Sequence, residues 1–229
     1  MINIVTSFYI SKTNSPLDSV RSEELLNCLI KNMESEIVEK IYLYVDDELS
    51  YEKVMSLSHM SQFHKIHVIA ILNRPKHKDF FKFAIEELKG KICMITNSDI
   101  YIHEYNYDLI NKLNNEKIAY SLTRYEHDMS CPLINHYQGS HDSYIFRSDM
   151  NISVIDNLNY YPNTPGIENW INRELFDQGY KLFNPCYQIK IVHLHRSELS
   201  NHEPHIHLFR YNDDVSLYNS SSGVKPCII

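Results

Sequence analysis

The sequence predicts a single α/β domain with a mostly parallel central sheet and helices on both faces, and three observations carry that prediction. Short apolar runs alternate with amphipathic stretches through the first half of the chain, the pattern of parallel strands joined by crossover helices. The run Ile92-Cys93-Met94-Ile95-Thr96 shows no polar alternation, as expected of a strand buried on both faces. It stops abruptly at Asn97, Ser98 and Asp99, which places short polar groups and one carboxylate at the strand end where open α/β sheets bind ligands. Asn, Ser and Asp are also ordinary turn formers, so only partners elsewhere in the chain distinguish a site from a turn.

Residues 2–8 read as the first buried strand, and Pro16-Leu17-Asp18-Ser19 offers a capped start for a helix over 20–31. That helix brings Leu25, Cys28, Leu29 and Met33 near one face. Residues 41–45 form the second strand, closed by Asp46 and Asp47, and a short helix over 51–57 follows. A third strand over 67–72 ends at Asn73-Arg74-Pro75. Helical spacing of Phe81, Phe83, Ala84 and Leu88 then leads into the run at 92–96. These are four strand and helix alternations in about 100 residues. The second half is less regular, with a short helix at 109–113 and strands at 118–122 and 144–146. Gly166 opens a helix running to about residue 178, which Gly179 closes. Segments 181–183 and 188–193 complete the core, giving a domain over 1–199 and a polar arm over 200–229.

Composition narrows the classes of function. A chain of 229 residues can bury one substantial core. A formal charge of -7 and the lack of any Lys or Arg run argue against nucleic acid as a partner. Five cysteines without a CxxC pair suit reduced thiols and a cytoplasmic setting. The first residues have neither a basic n-region nor a long apolar h-region, and no stretch approaches membrane-spanning length. Any substrate phosphate must therefore be held by a metal ion or by a few placed cations.

The order of motifs over about residues 2–197 resembles the nucleotide-sugar-dependent glycosyltransferases of the A-type, Rossmann-like fold. Asn97-Ser98-Asp99 stands where that family has its DxD motif, and Glu168 stands at the family's acidic helix start. Gly179-Tyr180 and Pro185 resemble the stretch that follows it, while Val192-His193-Leu194-His195 resembles the late histidine that completes many such metal sites. The departure is Asn97, which leaves Asp99 as the only carboxylate of the motif. It leaves open whether the chain uses a metal or works without one.

The resemblance implies Mn or Mg, a nucleotide-diphospho sugar as donor with a UDP-sugar as first expectation, and a carbohydrate or other hydroxyl acceptor. Breaking a sugar-phosphate bond adds negative charge to the departing diphosphate, which a divalent ion stabilises. Asp99 with one histidine gives a plausible shell. Only one of His193 and His195 is expected to face the site, His193 being favoured because it closes the apolar run. His202, His205 and His207 form a further cluster that imitates a metal site, but its place in the polar arm favours incidental solvent exposure.

The acceptor hydroxyl must also lose its proton, and Glu168 at a helix N-terminus is the first candidate base, with Asp142 as second base or hydroxyl ligand. Each also reads as an ordinary helix-start or loop acid. Thr6, Ser7 and Asp46 end the first two strands, where the family flanks base and ribose. Asn97 and Ser98 join them, and Arg74 and Lys82 are the candidates for phosphate. Arg124 and Glu126 either line a sugar pocket or form a structural ion pair. Two other functions fit the same residues: a metal-dependent phosphoesterase and a non-catalytic module that binds nucleotide or sugar.

Overall fold

The computed structural model describes residues 1–10, 16–135, 140–150, 157–162, 164, 166–195 and 223–229, with 16–18 described by their backbone alone. Three crossovers build the first half. Strand β1 (Ile2–Ser7) leads through helix α1 (Pro16–Glu34) to β2 (Val38–Val45). Helix α2 (Glu48–Met55) then precedes β3 (Ile66–Ala70), and α3 (His77–Glu86) precedes β4 (Ile92–Thr96). β5 (Ile100–Glu104), α4 (Tyr107–Lys112), β6 (Ile118–Leu122), β7 (Tyr125–Glu126) and α5 (Pro132–Asn135) follow. The described core closes with β8 (Ser143–Arg147), α6 (Ile167–Asp177), β9 (Lys181–Phe183) and β10 (Lys190–His193).

Seven strands form the main sheet in the order β3-β2-β1-β4-β8-β6-β9. β1, β2, β3 and β4 run parallel, β8 is antiparallel to both its neighbours, and β6 pairs parallel with β9. The expected mostly parallel sheet with helices on both faces is therefore present. One face buries Leu25, Leu29 and Met33 of α1 and Leu109 and Ile110 of α4 against Ile4, Leu43 and Met94 of the sheet. The other buries Phe80, Phe81 and Ala84 of α3 and Ile167, Ile171 and Leu175 of α6 against Val5, Ile95 and Phe146. The Phe81 and Phe146 rings stack at 5.5 Å between centroids. Strand β4 reads as a nearly continuous apolar run, and β1 is buried along Ile2–Thr6, because both faces are covered in this way.

Several boundaries differ from expectation. The third strand stops at Ala70, and Leu72 is 96% exposed, because β3 is the sheet edge and the chain leaves it early. β5 was not expected: Asn97 O accepts from Ile100 N at 3.3 Å, and this tight turn starts a new strand directly after Asp99. Its residues alternate, Ile100 and Ile102 inward, the period-2 signal of a half-buried strand. β5, β10 and β7 make a second, three-stranded sheet. Gly166 at φ 87° and Gly179 at φ 82° bracket α6, as their positions in the sequence require.

Two further ties anchor the second sheet and the last described residues to the domain. The Asn32 side chain on α1 donates to Ile100 O at 2.8 Å and accepts from Ile102 N at 3.0 Å. From the far end of the chain, residues 223–229 pack back on the domain. Asn184 Nδ2 donates to Val224 O at 2.9 Å, Cys227 N donates to Asn184 O at 2.9 Å, and Ile229 lies against the core. His202, His205 and His207 lie outside the described residues. All five cysteines are unpaired. Among the described residues, no helix is long and apolar enough to cross a membrane.

Candidate functional site

The β1–α1–β2 crossover covers one face of the sheet and the α3 helix before β4 covers the other, so the crevice opens where β1 and β4 end. Ser7 Oγ and Ser98 Oγ meet across it at 3.3 Å, and Thr6 Oγ1 donates to Thr96 O at 2.8 Å. Thr6 is thereby buried as a tie between the two strands, while Ser7, Asn97 and Ser98 remain half-buried at the crevice.

Asp99 follows directly and is buried. Strand β10 lies between β5 and β7, with His193 opposite Ile100 on one side and Glu126 on the other. That register carries the imidazole into a line of carboxylates. His193 Nε2 lies 3.1 Å from Asp99 Oδ2, and its Nδ1 lies 3.2 Å from Glu126 Oε2. Leu194 N donates to Asp99 O at 2.9 Å and fixes the next turn. The expectation that only one of His193 and His195 faces the site is corrected: residues two apart in an extended segment share a face. Their rings lie 5.3 Å apart, and both contribute ligand atoms that, with Asp99, fall within 4.8 Å of one another.

The line of charges continues in both directions. Arg21 of α1 pairs with Asp99 Oδ2, with Glu24 at 3.2 Å and with Leu194 O at 3.2 Å. On the other side Arg124 Nε meets Glu126 at 3.1 Å, and its Nη1 meets Asp142 Oδ1 at 2.7 Å. Arg124 and Glu126, read from sequence as pocket lining or as an ion pair, are therefore paired with each other and also tied to His193 and Asp142. A narrow cleft next to them is lined by His77, Asn97, His141, Asp142 and Glu168, with Thr96 and Ile171 among the walls. In that cleft Asp142 Oδ2 and His77 Nδ1 are buried without a partner among the described residues.

Protonation follows from this packing. Burial alone would raise the Asp99 carboxyl, but the His193 hydrogen bond and the Arg21 charge overcome it and hold the group well below the usual carboxylate range. Burial likewise opposes charge on His193, yet the two carboxylates that flank it push its pKa up to about 9. The His193 hydrogen bond, with Arg124 behind it, lowers Glu126 to about 2 against the effect of burial. Burial, then the positive charges of Arg21 and His193, lowers His195 and so favours its neutral form. Burial raises Glu168 to about 7, assisted by the Asp142 charge. Burial alone lowers His77 to about 4.

Asp99, His193 and His195 offer one carboxylate oxygen and two imidazole nitrogens, a mixed set that suits Mn2+ better than Mg2+. The set fits an ion in a second respect. Glu126 accepts from His193 Nδ1 and turns Nε2 toward Asp99, the usual outer carboxylate of a metal-bound histidine. To ligate, His193 must give up its proton.

The structure brings Asn97, Ser98, Asp99, Asp142, Glu168, His193 and His195 to one end of the sheet, with Ser7 beside them. Asp46 sits half-buried just after β2, and its neighbour Asp47 caps α2 through Ser50 N at 2.9 Å. Arg74 and Lys82 line a different, open groove with Lys76, Lys78 and Tyr161, which Asn97 and Asp99 do not enter. Arg74 stacks there on Tyr161 at 5.3 Å. Sequence reasoning missed Arg21 and His77. Arg21 lies in a helix read only for its apolar face, and nothing in its spacing signals a carboxylate partner 78 positions away. His77 had a signal, since it follows a strand end and opens a helix.

No family model matches the chain, and no curated protein matches it in sequence. Solved structures do. A mannosyltransferase from Pyrobaculum calidifontis, in complex with GDP-mannose and Mn2+, is similar with a TM-score of 0.51 at 12% identity, covering 84% of this chain. The match spans 56% of that protein's length. A candidate nucleotide-diphospho-sugar transferase from Desulfovibrio desulfuricans G20 matches with a TM-score of 0.47 at 12% identity, covering 80% of this chain and 78% of that one. At such identity the likeness is one of fold, and the fold is that of the A-type glycosyltransferases.

Proposed function

We propose that the protein is a metal-assisted, inverting glycosyltransferase that moves a hexosyl group from a nucleotide-diphospho sugar to an acceptor hydroxyl. The observation that carries the reading is the convergence of two unlike carboxylate environments at the β1–β4 crevice. Asp99 is held ionised among cations, whereas Glu168 is pushed to about 7 in the adjoining cleft. Pairs of acids driven apart in this way are how one site runs both charge stabilisation and proton transfer.

Glu168 is the base. At neutral pH a large fraction is ionised, and its carboxylate takes the acceptor proton while the hydroxyl oxygen bonds to the anomeric carbon and the bond to the phosphate oxygen breaks. Asp142 is the hydroxyl ligand: Arg124 occupies Oδ1, and Oδ2, without a partner among the described residues, is the acceptor available in the cleft. Asn97, in the same cleft, and Ser7 and Ser98 at the crevice supply neutral hydrogen-bonding groups for the sugar and its phosphates. Asp46 is assigned to the ribose or base edge. Thr6 acts by fixing the crevice, and Arg74 and Lys82 serve distal parts of donor or acceptor through their own groove. Asp99, His193 and His195 would hold the ion, which when bound supplies positive charge beside the departing diphosphate.

The mannosyltransferase neighbour makes GDP-mannose and Mn2+ a first pair to test beside UDP-sugars. A thermal-shift screen of nucleotide sugars with Mn2+ identifies the donor, because binding to the folded state raises its stability. Transfer to a hydroxyl acceptor is then followed for wild type and Glu168→Gln. The reading expects donor binding to persist in the variant and transfer to fall by about a hundredfold or more. Normal transfer kinetics in Glu168→Gln would remove Glu168 as base, and release of sugar phosphate or nucleotide without any acceptor dependence would favour a phosphoesterase.

A further inference from the structure

We infer that Arg21 is an internal counter-cation that sets how tightly the site binds a divalent ion, by holding the same Asp99 carboxylate that the ion needs. The inference rests on the cation site proposed above and concerns its affinity rather than its chemistry.

Arg21 is 5% exposed and reaches three parts of the site from beneath. Its Nη2 bonds Asp99 Oδ2, the oxygen that also faces His193 Nε2. Its Nη1 bonds Leu194 O, the carbonyl between the two histidines, and Glu24 at 3.2 Å. Arg21 Nε is buried without a partner among the described residues. A guanidinium is thus held beside the ligand atoms although its own hydrogen bonding there is incomplete. That arrangement persists because a buried carboxylate needs a nearby positive charge.

An arriving ion meets two consequences. Asp99 has already given one oxygen to a charge-assisted bond, which must lengthen or be shared. The guanidinium also repels a dication bound a few ångströms away, in surroundings that screen less than water. A carboxylate at position 97 would offset part of this repulsion, but Asn97 carries no charge. Arg21 and Asn97 therefore act in the same direction, toward weak binding of the free ion. The bound diphosphate is the group whose negative charge restores the balance.

The test measures Mn2+ alone, without sugar donor or turnover, by calorimetry and by thermal shift on the full chain. Arg21→Gln keeps an N–H donor toward Asp99 and removes the charge; it should tighten Mn2+ binding by about tenfold or more. Arg21→Lys keeps the charge and should stay near wild type. Asp99→Asn should abolish the signal in both backgrounds. Should Arg21→Gln not fold by itself, its Kd follows from the Mn2+ refolding midpoint once that is corrected for the folding equilibrium, measured separately with a stabilising osmolyte. A corrected Kd below the wild-type value supports the inference, and one at or above it overturns it. If wild type binds Mn2+ through Asp99 and Arg21→Gln binds no tighter, the inference about Arg21 fails alone. If neither protein shows binding that Asp99→Asn removes, the cation site fails with it.

Discussion

The raised pKa of Glu168 makes a prediction about folding that needs no substrate. In the unfolded chain this carboxyl titrates near 4.5, and in the native cleft near 7 because burial disfavours its charged form. Between those values the native state holds more protons than the unfolded state, so stability falls as pH rises. The contribution is fully present below 4.5 and lost once pH has passed 7. The gap corresponds to about 3 kcal/mol at most. Glu168 keeps part of its surface open to the cleft, so solvent screening reduces the expected loss to about 1–3 kcal/mol. Glu168→Gln removes the titration and leaves the shape. Denaturant midpoints for both proteins at half-unit steps from pH 4.5 to 8.5 should diverge, with the variant gaining on wild type as pH rises. A difference between the two curves that stays constant across that range would refute the burial argument and, with it, the reason for choosing Glu168 as base. Under the same reasoning the transfer rate of wild type rises with pH through a single ionisation near 7.

Two further substitutions test the ties that hold the site. Asp99→Asn preserves shape but leaves the buried Arg21 with Glu24 as its one carboxylate partner among the described residues; it should cost about 3 kcal/mol in denaturant unfolding. Asn184 is fully buried and joins Thr123 N at 3.2 Å, Thr123 Oγ1 at 2.9 Å and Val224 O at 2.9 Å. Asn184→Ala should lower stability by about 2–4 kcal/mol and make residues 223–229 more accessible to carboxypeptidase, two effects that unchanged digestion would separate.

The parallel half of the fold was legible because it is built from contiguous patterns: an apolar run of four to six residues, then a helix with apolar residues three and four apart. Helix α1 is such a case, since Leu25, Cys28, Leu29 and Met33 are all buried where their spacing places them. The small sheet was not legible. β7 has two residues, too few to carry a period, and β5 begins on the same Asp99 side of a turn that also ends β4's apolar stretch. Yet this sheet is what sets His193 between Asp99 and Glu126. Candidate residues at strand ends could be named individually, whereas their pairings, Arg21 with Asp99 or Arg124 with Asp142, join helices and loops across 78 and 18 positions. No local pattern encodes such a distance. Arg74 and Lys82 were named from charge and order along the chain, and no local pattern told that they line a groove separate from Asn97 and Asp99.

The order of charges gives a physical account of Asn97. Glu24, Arg21, Asp99, His193, Glu126, Arg124 and Asp142 alternate in sign along one connected line. Glu168 stands beside its last member, and Asp142 already raises its pKa. Asn97 lines the same cleft as Glu168 and Asp142. A carboxylate at position 97 would strengthen the cation site, but it would also place another negative charge next to the proposed base. Asn97→Asp should therefore raise the Glu168 pKa by about 0.5–1 pH unit in the absence of a divalent ion. The pH at which the stability difference between wild type and the Glu168→Gln control levels off should move upward by that amount when both carry Asn97→Asp. Saturating Mn2+ should pull it back, because the ion neutralises the added charge. An unmoved or lowered levelling-off pH would mean that position 97 does not act on Glu168 electrostatically, and the neutral residue would then need another explanation than protection of the base.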